Sequence, residues 1–289
     1  MPDIAQAVIP VAGAGTRMLA AARSVPKALL PIFDRPLVQR AAEEAAEAGV
    51  REIILVVAPG QEAWFRAQFA APSTEARRAD GTLEDLTRLI ERASVRFVVQ
   101  EHARGLADAS ACAQPALDAR PFLVLLPDSV FIGPTVSLAL AAAAERHGAS
   151  AVGVVEVPDD AVGRYGIVDG ERLDERTVRL RRIVEKPRRP EDAPTRLGIA
   201  GRYVLAPEIL DVIAHTPPSA VSGERELSDA IVALAATQPV VAPIVEAAQF
   251  DAGTPASLLI ASAALALRES GDAAAVEAAL RALLRNGVR

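Results

Sequence analysis

The stretch Ala5-Gln6-Ala7-Val8-Ile9-Pro10-Val11, followed at once by Ala12-Gly13-Ala14-Gly15-Thr16-Arg17, decides how the chain is read. The first run is almost free of polar side chains and has the length of a strand buried on both faces. The Gly/Ala loop behind it lets backbone N–H groups approach a phosphate closely. The same loop is also the form of a plain strand-to-helix turn. Two common phosphate fingerprints fail: one needs a third glycine where Met18 stands, the other a Gly-Lys-Ser/Thr that is absent. The cationic continuation Arg17, Arg23 and Lys27 favours the functional reading, because glycines combined with cations suit a polyphosphate.

Outward from this stretch, Ile53–Ala58, Val95–Gln100, Phe122–Leu126 and Ala151–Val157 read as further buried strands. Helical patterns lie at Leu37–Ala48 (stopped by Gly49), Gln61–Phe69, Leu83–Arg92, Ala107–Ala116 and Val136–His147, with a polar loop over Pro72–Gly81. This alternation predicts an α/β fold: a Rossmann-like mixed, mostly parallel sheet flanked by helices on both faces. Beyond about residue 158 the β pieces shorten to Gly166–Asp169, Val178–Glu185 and Gly198–Leu205, around an exposed turn at Pro187–Pro194. Helical patterns return at Pro207–His215, Leu227–Thr237, Pro255–Arg268 and Ala273–Arg285, which predicts a helical C-terminus.

With 289 residues the chain has room for one large domain or two small ones. Acidic residues outnumber basic ones by 37 to 31, and the net charge of −6 argues against a nucleic-acid or membrane-surface partner. The single cysteine, Cys112, excludes a disulfide scaffold and a Cys-based zinc site, and fits a reducing cytoplasm. His102, His147 and His215 are scattered without ligand spacing. Asp3 breaks any basic leader, and apolar stretches such as Thr254–Leu267 are too short and alanine-rich to span a bilayer. Of the 31 basic residues only Lys27 and Lys186 are lysines.

Asp128 follows the strand Phe122–Leu126, where open α/β sheets gather their ligands; it could equally cap a turn. Asp251, in Phe-Asp-Ala-Gly-Thr-Pro, poses the same choice. The neighbours Glu185 and Lys186 read, on their own, as a solvated surface pair.

In order and spacing these segments resemble the sugar-1-phosphate nucleotidyltransferase family over most of the chain. The resemblance rests on the Gly-x-Gly-Thr-Arg loop and on Pro26-Lys27-Ala28-Leu29-Leu30-Pro31. It continues through Gln100 with Gly105-Leu106-Ala107-Asp108-Ala109, the two aspartates, Tyr165-Gly166-Ile167-Val168-Asp169 and Val184-Glu185-Lys186-Pro187. Ile199-Ala200-Gly201-Arg202-Tyr203 and Glu224-Arg225-Glu226-Leu227-Ser228-Asp229 complete it. It implies that Ala12, Gly13, Gly15 and Thr16 wrap a nucleoside triphosphate, with Arg17 and Lys27 on its phosphates. Gln100 and Gly105 would read the base, and Asp128 and Asp251 would hold Mg²⁺. Gly166, Glu185, Gly201 and Glu226 would contact the sugar, and Lys186 the sugar phosphate.

The implied activity is transfer of a uridylyl group from UTP to glucose 1-phosphate, giving UDP-glucose and pyrophosphate. Gly105-Leu106-Ala107 is closer to thymidylyl members and keeps dTTP as an alternative donor. Ala28, where uridylyl members often have Glu, prompts the other alternative, a non-catalytic sugar-nucleotide-binding regulator. The resemblance implies one nucleotidyltransferase domain over 1–268. Its nucleotide-binding part is about 1–130 and its sugar-binding part about 131–255. The C-terminal helix, 269–289, is a candidate contact in a cytoplasmic homodimer or homotetramer.

Overall fold

The structure, a computed structural model, describes residues 4–286 except 14, 19, 80 and 81, with the backbone alone for 77–79, 82 and 286. Asp3, Ala14, Gly81 and the end of the 269–289 segment lie outside the described residues. The strands are β1 (Gln6–Pro10), β2 (Pro31–Ile32), β3 (Arg35–Pro36), β4 (Glu52–Val57), β5 (Ser94–Val99), β6 (Phe122–Leu125) and β7 (Ser129–Ile132). They continue with β8 (Ser150–Glu156), β9 (Gly166–Arg172), β10 (Thr177–Glu185), β11 (Leu197–Leu205), β12 (Val240–Pro243) and β13 (Ala248–Asp251). The helices are α1 (Leu37–Glu47), α2 (Glu62–Gln68), α3 (Thr74–Ala79), α4 (Thr82–Arg92) and α5 (Leu106–Cys112). They continue with α6 (Val136–His147), α7 (Ile209–His215), α8 (Leu227–Ala235), α9 (Pro255–Glu269) and α10 (Ala273–Asn286).

Nine strands form one mixed sheet in the order β5-β4-β1-β6-β11-β8-β12-β10-β9. The segment β5-β4-β1-β6 is parallel throughout. The chain leaves β1 for β4 on one side and returns to β6 on the other. That reversal opens a crevice beyond the carboxyl ends of β1 and β6, the usual ligand position in such sheets. On the other side, β11 runs antiparallel to both β6 and β8, and β10 antiparallel to β12 and β9.

The period-2 geometry of strands sorts the apolar runs onto two faces. Ala7, Ile9, Ile53, Leu55, Val57, Leu123 and Leu125 enter one core. Val8, Ile54, Val56, Phe122 and Val124 enter the other. Both faces are covered by helices, which is why these strands read as unbroken apolar runs. A small third core joins Ile32, Leu37, Val130, Ala252, Ala261 and Leu265, and so ties the β2–β3 hairpin and β7 to α9.

Several features depart from the sequence reading, which also left β2, β3 and β12 unassigned. The polar Pro72–Gly81 stretch contains α3, whose exposed Thr74 and Glu75 leave no apolar stripe to betray it. The helix near Ala107–Ala116 ends at Cys112 and continues only as a 3₁₀ turn, Gln114–Ala116, around Pro115, which has no N–H to donate. The antiparallel ribbon of β7 and β13 stands apart from the main sheet and was not expected from runs of four residues. No helix among the described residues is long and apolar enough to cross a membrane.

Candidate active site

Two cavities meet beyond β1 and β6. The larger, about 460 Å³, is lined by Ala12, Gly13, Gly15, Thr16, Lys27, Gln100 and Gly105. The smaller, about 250 Å³, is lined by Gly166, Glu185, Lys186, Gly201, Glu226 and Asp251. Arg17 and Asp128 line both, and so mark the seam. Every residue to which the resemblance gives a role therefore lines one of these two cavities, whereas Arg23 lines neither.

The loop after β1 turns at Gly15, whose φ is +58°, and its carbonyl accepts from the Met18 N–H at 2.7 Å. Met18 is buried and anchors the turn. Lys27 opens a 3₁₀ turn behind Pro26, and its Nζ donates to Asp128 Oδ2 at 2.7 Å. Buried Ala28 lines the larger cavity beside it.

The two aspartates come together through the ribbon. Asp128 immediately precedes β7, and Asp251 ends β13 opposite Ser129. The Ala252 N–H donates to the Asp128 carbonyl at 2.8 Å and pins the two strand ends together. Asp251 Oδ1 accepts from the Gly253 N–H at 3.0 Å. A Cβ on Gly253 would stand 2.7 Å from Asp251 Oδ1 and 2.8 Å from Arg17 Nη2, so a side chain here would push both groups aside. Among the described residues no three His, Cys, Asp or Glu side chains form a metal cage. Two hard carboxylates at a phosphate-sized cavity nevertheless suit a cation whose remaining ligands are substrate oxygens and water.

Arg202 supports the loop that presents Asp128. It is 2 % exposed, and it donates to the Leu126 carbonyl at 2.7 Å and the Ser129 carbonyl at 2.8 Å. Glu44 on α1 accepts from its Nε and Nη2 at 3.0 and 2.8 Å. Ser137 on α6 donates to the same carboxylate at 2.6 Å. The guanidinium also lies 4.8 Å from the Phe131 ring centroid. Its planar fork suits this task, because it reaches a carboxylate and the Leu126, Gly201 and Ser129 carbonyls at once.

Gly201 sits in the β11 bulge with φ +71°, and a Cβ there would stand 2.6 Å from Ser129 Oγ. Gly105 has φ +105°, and its Cβ would meet the Arg225 carbonyl at 2.5 Å. The Arg225 N–H donates to the Arg104 carbonyl at 2.8 Å, so the 224–226 segment lies across the start of α5. Glu224 thereby reaches the larger cavity and Glu226 the smaller.

Gln100 is buried, and its Nε2 donates to Asp108 Oδ2 at 2.8 Å and to the Gly105 carbonyl at 3.4 Å. In the smaller cavity Lys186 Nζ lies 3.1 Å from Glu185 Oε1. Lys186 itself adopts φ +46°, a conformation that costs a non-glycine residue about 1–2 kcal/mol. Burial, together with the nearby negative Glu185, pushes the Tyr203 phenol well above its ordinary range, so it stays protonated. Gln249 shares a face of β13 with Asp251, two residues on. Its Nε2 donates to the Ala200 carbonyl at 3.3 Å, and its buried Oε1 has no protein partner. Asp229, pushed upward by burial and by Glu185, lies in the first turn of α8 and lines neither cavity.

Sequence reasoning did not give roles to Arg202, Tyr203, Gln249 or Gly253. Arg202 carried a signal, a lone charge inside an apolar strand, which demands a buried partner. Gln249 carried another, its alternation with Asp251.

A cleft at a parallel switch point, continuous with a second polar cavity, suits an enzyme that joins two ligands. The family model described as nucleotidyl transferase matches residues 6–268, and the chain belongs to that family. It is 34 % identical over 258 residues to UTP–glucose-1-phosphate uridylyltransferase of Staphylococcus haemolyticus, covering 88 % of this chain and 89 % of that one. The protein of the same name in Pseudomonas aeruginosa is 32 % identical over 261 residues, covering 87 % and 92 % of the two chains. Among solved structures, UDP-glucose pyrophosphorylase complexed with UDP-glucose superposes with TM-score 0.84 at 31 % identity, covering 90 % of this chain and 98 % of that one. UTP-bound UGPase from Acinetobacter baumannii superposes with TM-score 0.86 at 31 % identity, covering 97 % and 99 %.

Proposed function

We propose that the chain transfers a uridylyl group from UTP to glucose 1-phosphate, releasing pyrophosphate and forming UDP-glucose. The observation that carries this is the joining of the two cavities at Arg17 and Asp128, where a triphosphate from one side would meet a phosphate from the other. The similarity to uridylyltransferases along nearly the whole chain supports the choice of substrates.

A phosphate oxygen of the sugar phosphate attacks the α-phosphorus and forms the new P–O bond. The α–β phosphoanhydride breaks, and the electron pair leaves on pyrophosphate. The attacking group is already an anion, so no general base is required; catalysis is placement and charge neutralisation. Ala12, Gly13, Gly15 and Thr16 cradle the triphosphate, and Arg17 and Lys27 offset its charge. Lys186 holds the sugar phosphate against the repulsion of the triphosphate. Gly166 and Gly201 bring backbone close to the sugar. Glu185, Glu226 and the free Gln249 Oε1 accept from its hydroxyls. Asp128 and Asp251 would hold a divalent cation, Mg²⁺ in this reading, which neutralises phosphate charge when bound.

The domain reads as a nucleotide-binding part over about 1–130 and a sugar-binding part over about 131–255. In this reading α9 and α10 contact a second copy, which the exposed Leu259, Ile260, Leu283 and Leu284 support. The compartment in this reading is the cytoplasm.

The test follows pyrophosphate release from each nucleoside triphosphate in turn, with glucose 1-phosphate and Mg²⁺. UTP-selective release is expected. Release confined to dTTP would move the assignment to a thymidylyltransferase, and ligand binding without release from any donor would make the chain a regulator.

A further inference from the structure

Gln100 would read the base in the proposed reaction, but a glutamine amide has two faces. Rotated by half a turn it presents N–H₂ instead of oxygen, at almost no steric cost. A residue that selects a base therefore needs something to select its own orientation.

We propose that Asp108 is that residue: it positions the Gln100 amide so that the oxygen faces the base, and thereby sets a preference for uracil or thymine over cytosine. A carboxylate accepts and cannot donate, so it takes only the Nε2 side of the amide. The observed 2.8 Å bond from Nε2 to Asp108 Oδ2 is this arrangement. Nε2 also lies 3.4 Å from the Gly105 carbonyl, a second acceptor on the same side of the amide. Gln100 is 4 % exposed, which confines the side chain and makes an unsatisfied rotamer costly. What is left for a ligand is Oε1, an acceptor.

An acceptor matches the N3–H that uracil and thymine share. Cytosine carries a bare lone pair at N3 and would set two acceptors against each other. A site built to accept a particular hydrogen bond rejects ligands that cannot make it by large factors. The Gly105-Leu106-Ala107-Asp108-Ala109 segment thus has a chemical reason for its fourth residue.

This inference rests on the nucleotide reading of the larger cavity, so its test is a binding measurement that does not need turnover. Calorimetry of UTP and CTP is compared between the wild type and Asp108→Asn. An asparagine can donate to Gln100 as readily as accept from it, and so releases the lock while nearly keeping the volume. The UTP-over-CTP affinity ratio is expected to fall by about tenfold or more, chiefly through a gain for CTP. In Asp108→Glu, which keeps an acceptor-only group, the preference should stay nearer the wild-type value. A properly folded Asp108→Asn protein with the wild-type ratio would overturn the proposal. Absence of UTP binding by the wild type would instead overturn the nucleotide reading beneath it.

Discussion

The Lys27 ammonium lies 2.7 Å from Asp128 Oδ2, across the seam between the two cavities. The pair is partly buried, with the lysine side chain 15 % and the aspartate 30 % exposed. Each group offsets the charge of the other in the absence of substrate. A triphosphate would give Lys27 other anions and free Asp128 for a cation. Arginine is the common cation in this chain, yet its broad fork does not fit the role of a compact charge on a flexible stem. Lys27→Arg is therefore expected to lose about tenfold or more in kcat while melting within a few degrees of wild type. Normal turnover in this variant would remove Lys27 from the phosphate machinery.

Asp128→Asn and Asp251→Asn keep shape and remove charge. Each should lower kcat by about a hundredfold or more and raise the Mg²⁺ concentration needed for half-maximal rate. UTP affinity measured without metal should change only severalfold. Metal titration of the steady-state rate checks both variants. Unaltered Mg²⁺ dependence would sink the assignment of the two carboxylates.

Gln249 Oε1 is buried without a donor, which is unfavourable unless a ligand supplies one. Gln249→Met keeps the length and removes the acceptor. The expected result is a KM for glucose 1-phosphate raised by about tenfold, with the UTP KM unchanged. A deoxy sugar phosphate lacking the relevant hydroxyl should be equally poor for wild type and variant. Equal sugar KM values for the two proteins would return Gln249 to a purely structural part.

Arg202→Met leaves the partly buried Glu44 carboxylate without its cation, with only Ser137 still donating to it, and should cost about 3 kcal/mol in stability, read from denaturant unfolding. Adding Glu44→Gln should recover much of that loss. Activity should not recover with it, because the Leu126 and Ser129 carbonyls still lack the donors that hold the Asp128 loop. Recovery of both together would show that Arg202 acts through stability alone.

The parts of this molecule that were legible beforehand are those whose signal is local. Ile53–Ala58 announced β4 by its unbroken apolar run, and Val136–His147 matched α6 end to end. The ribbon of β7 and β13 was hidden because each strand has four residues and its partner lies far along the chain. Arg202 was visible inside the motif around Gly201, but its partner Glu44 lies 158 residues away, and no local pattern joins them. The Gln100–Asp108 bond was within reach of a closer reading, since the two residues flank one loop. What the sequence lacked there was the direction in which the amide points.

The pairing of Asp251 with Ser129 also bears on the birth of the protein. Asp251 follows Asp128 by roughly 120 residues, which at about 5–20 residues per second is on the order of 10 s of synthesis. During that interval the residues of β1, β4, β5 and β6 have all been made, together with the glycine loop after β1, but not the second carboxylate. The first carboxylate thus waits for the second until nearly the whole chain has been made. Competence arrives with one of the last strands to leave the ribosome.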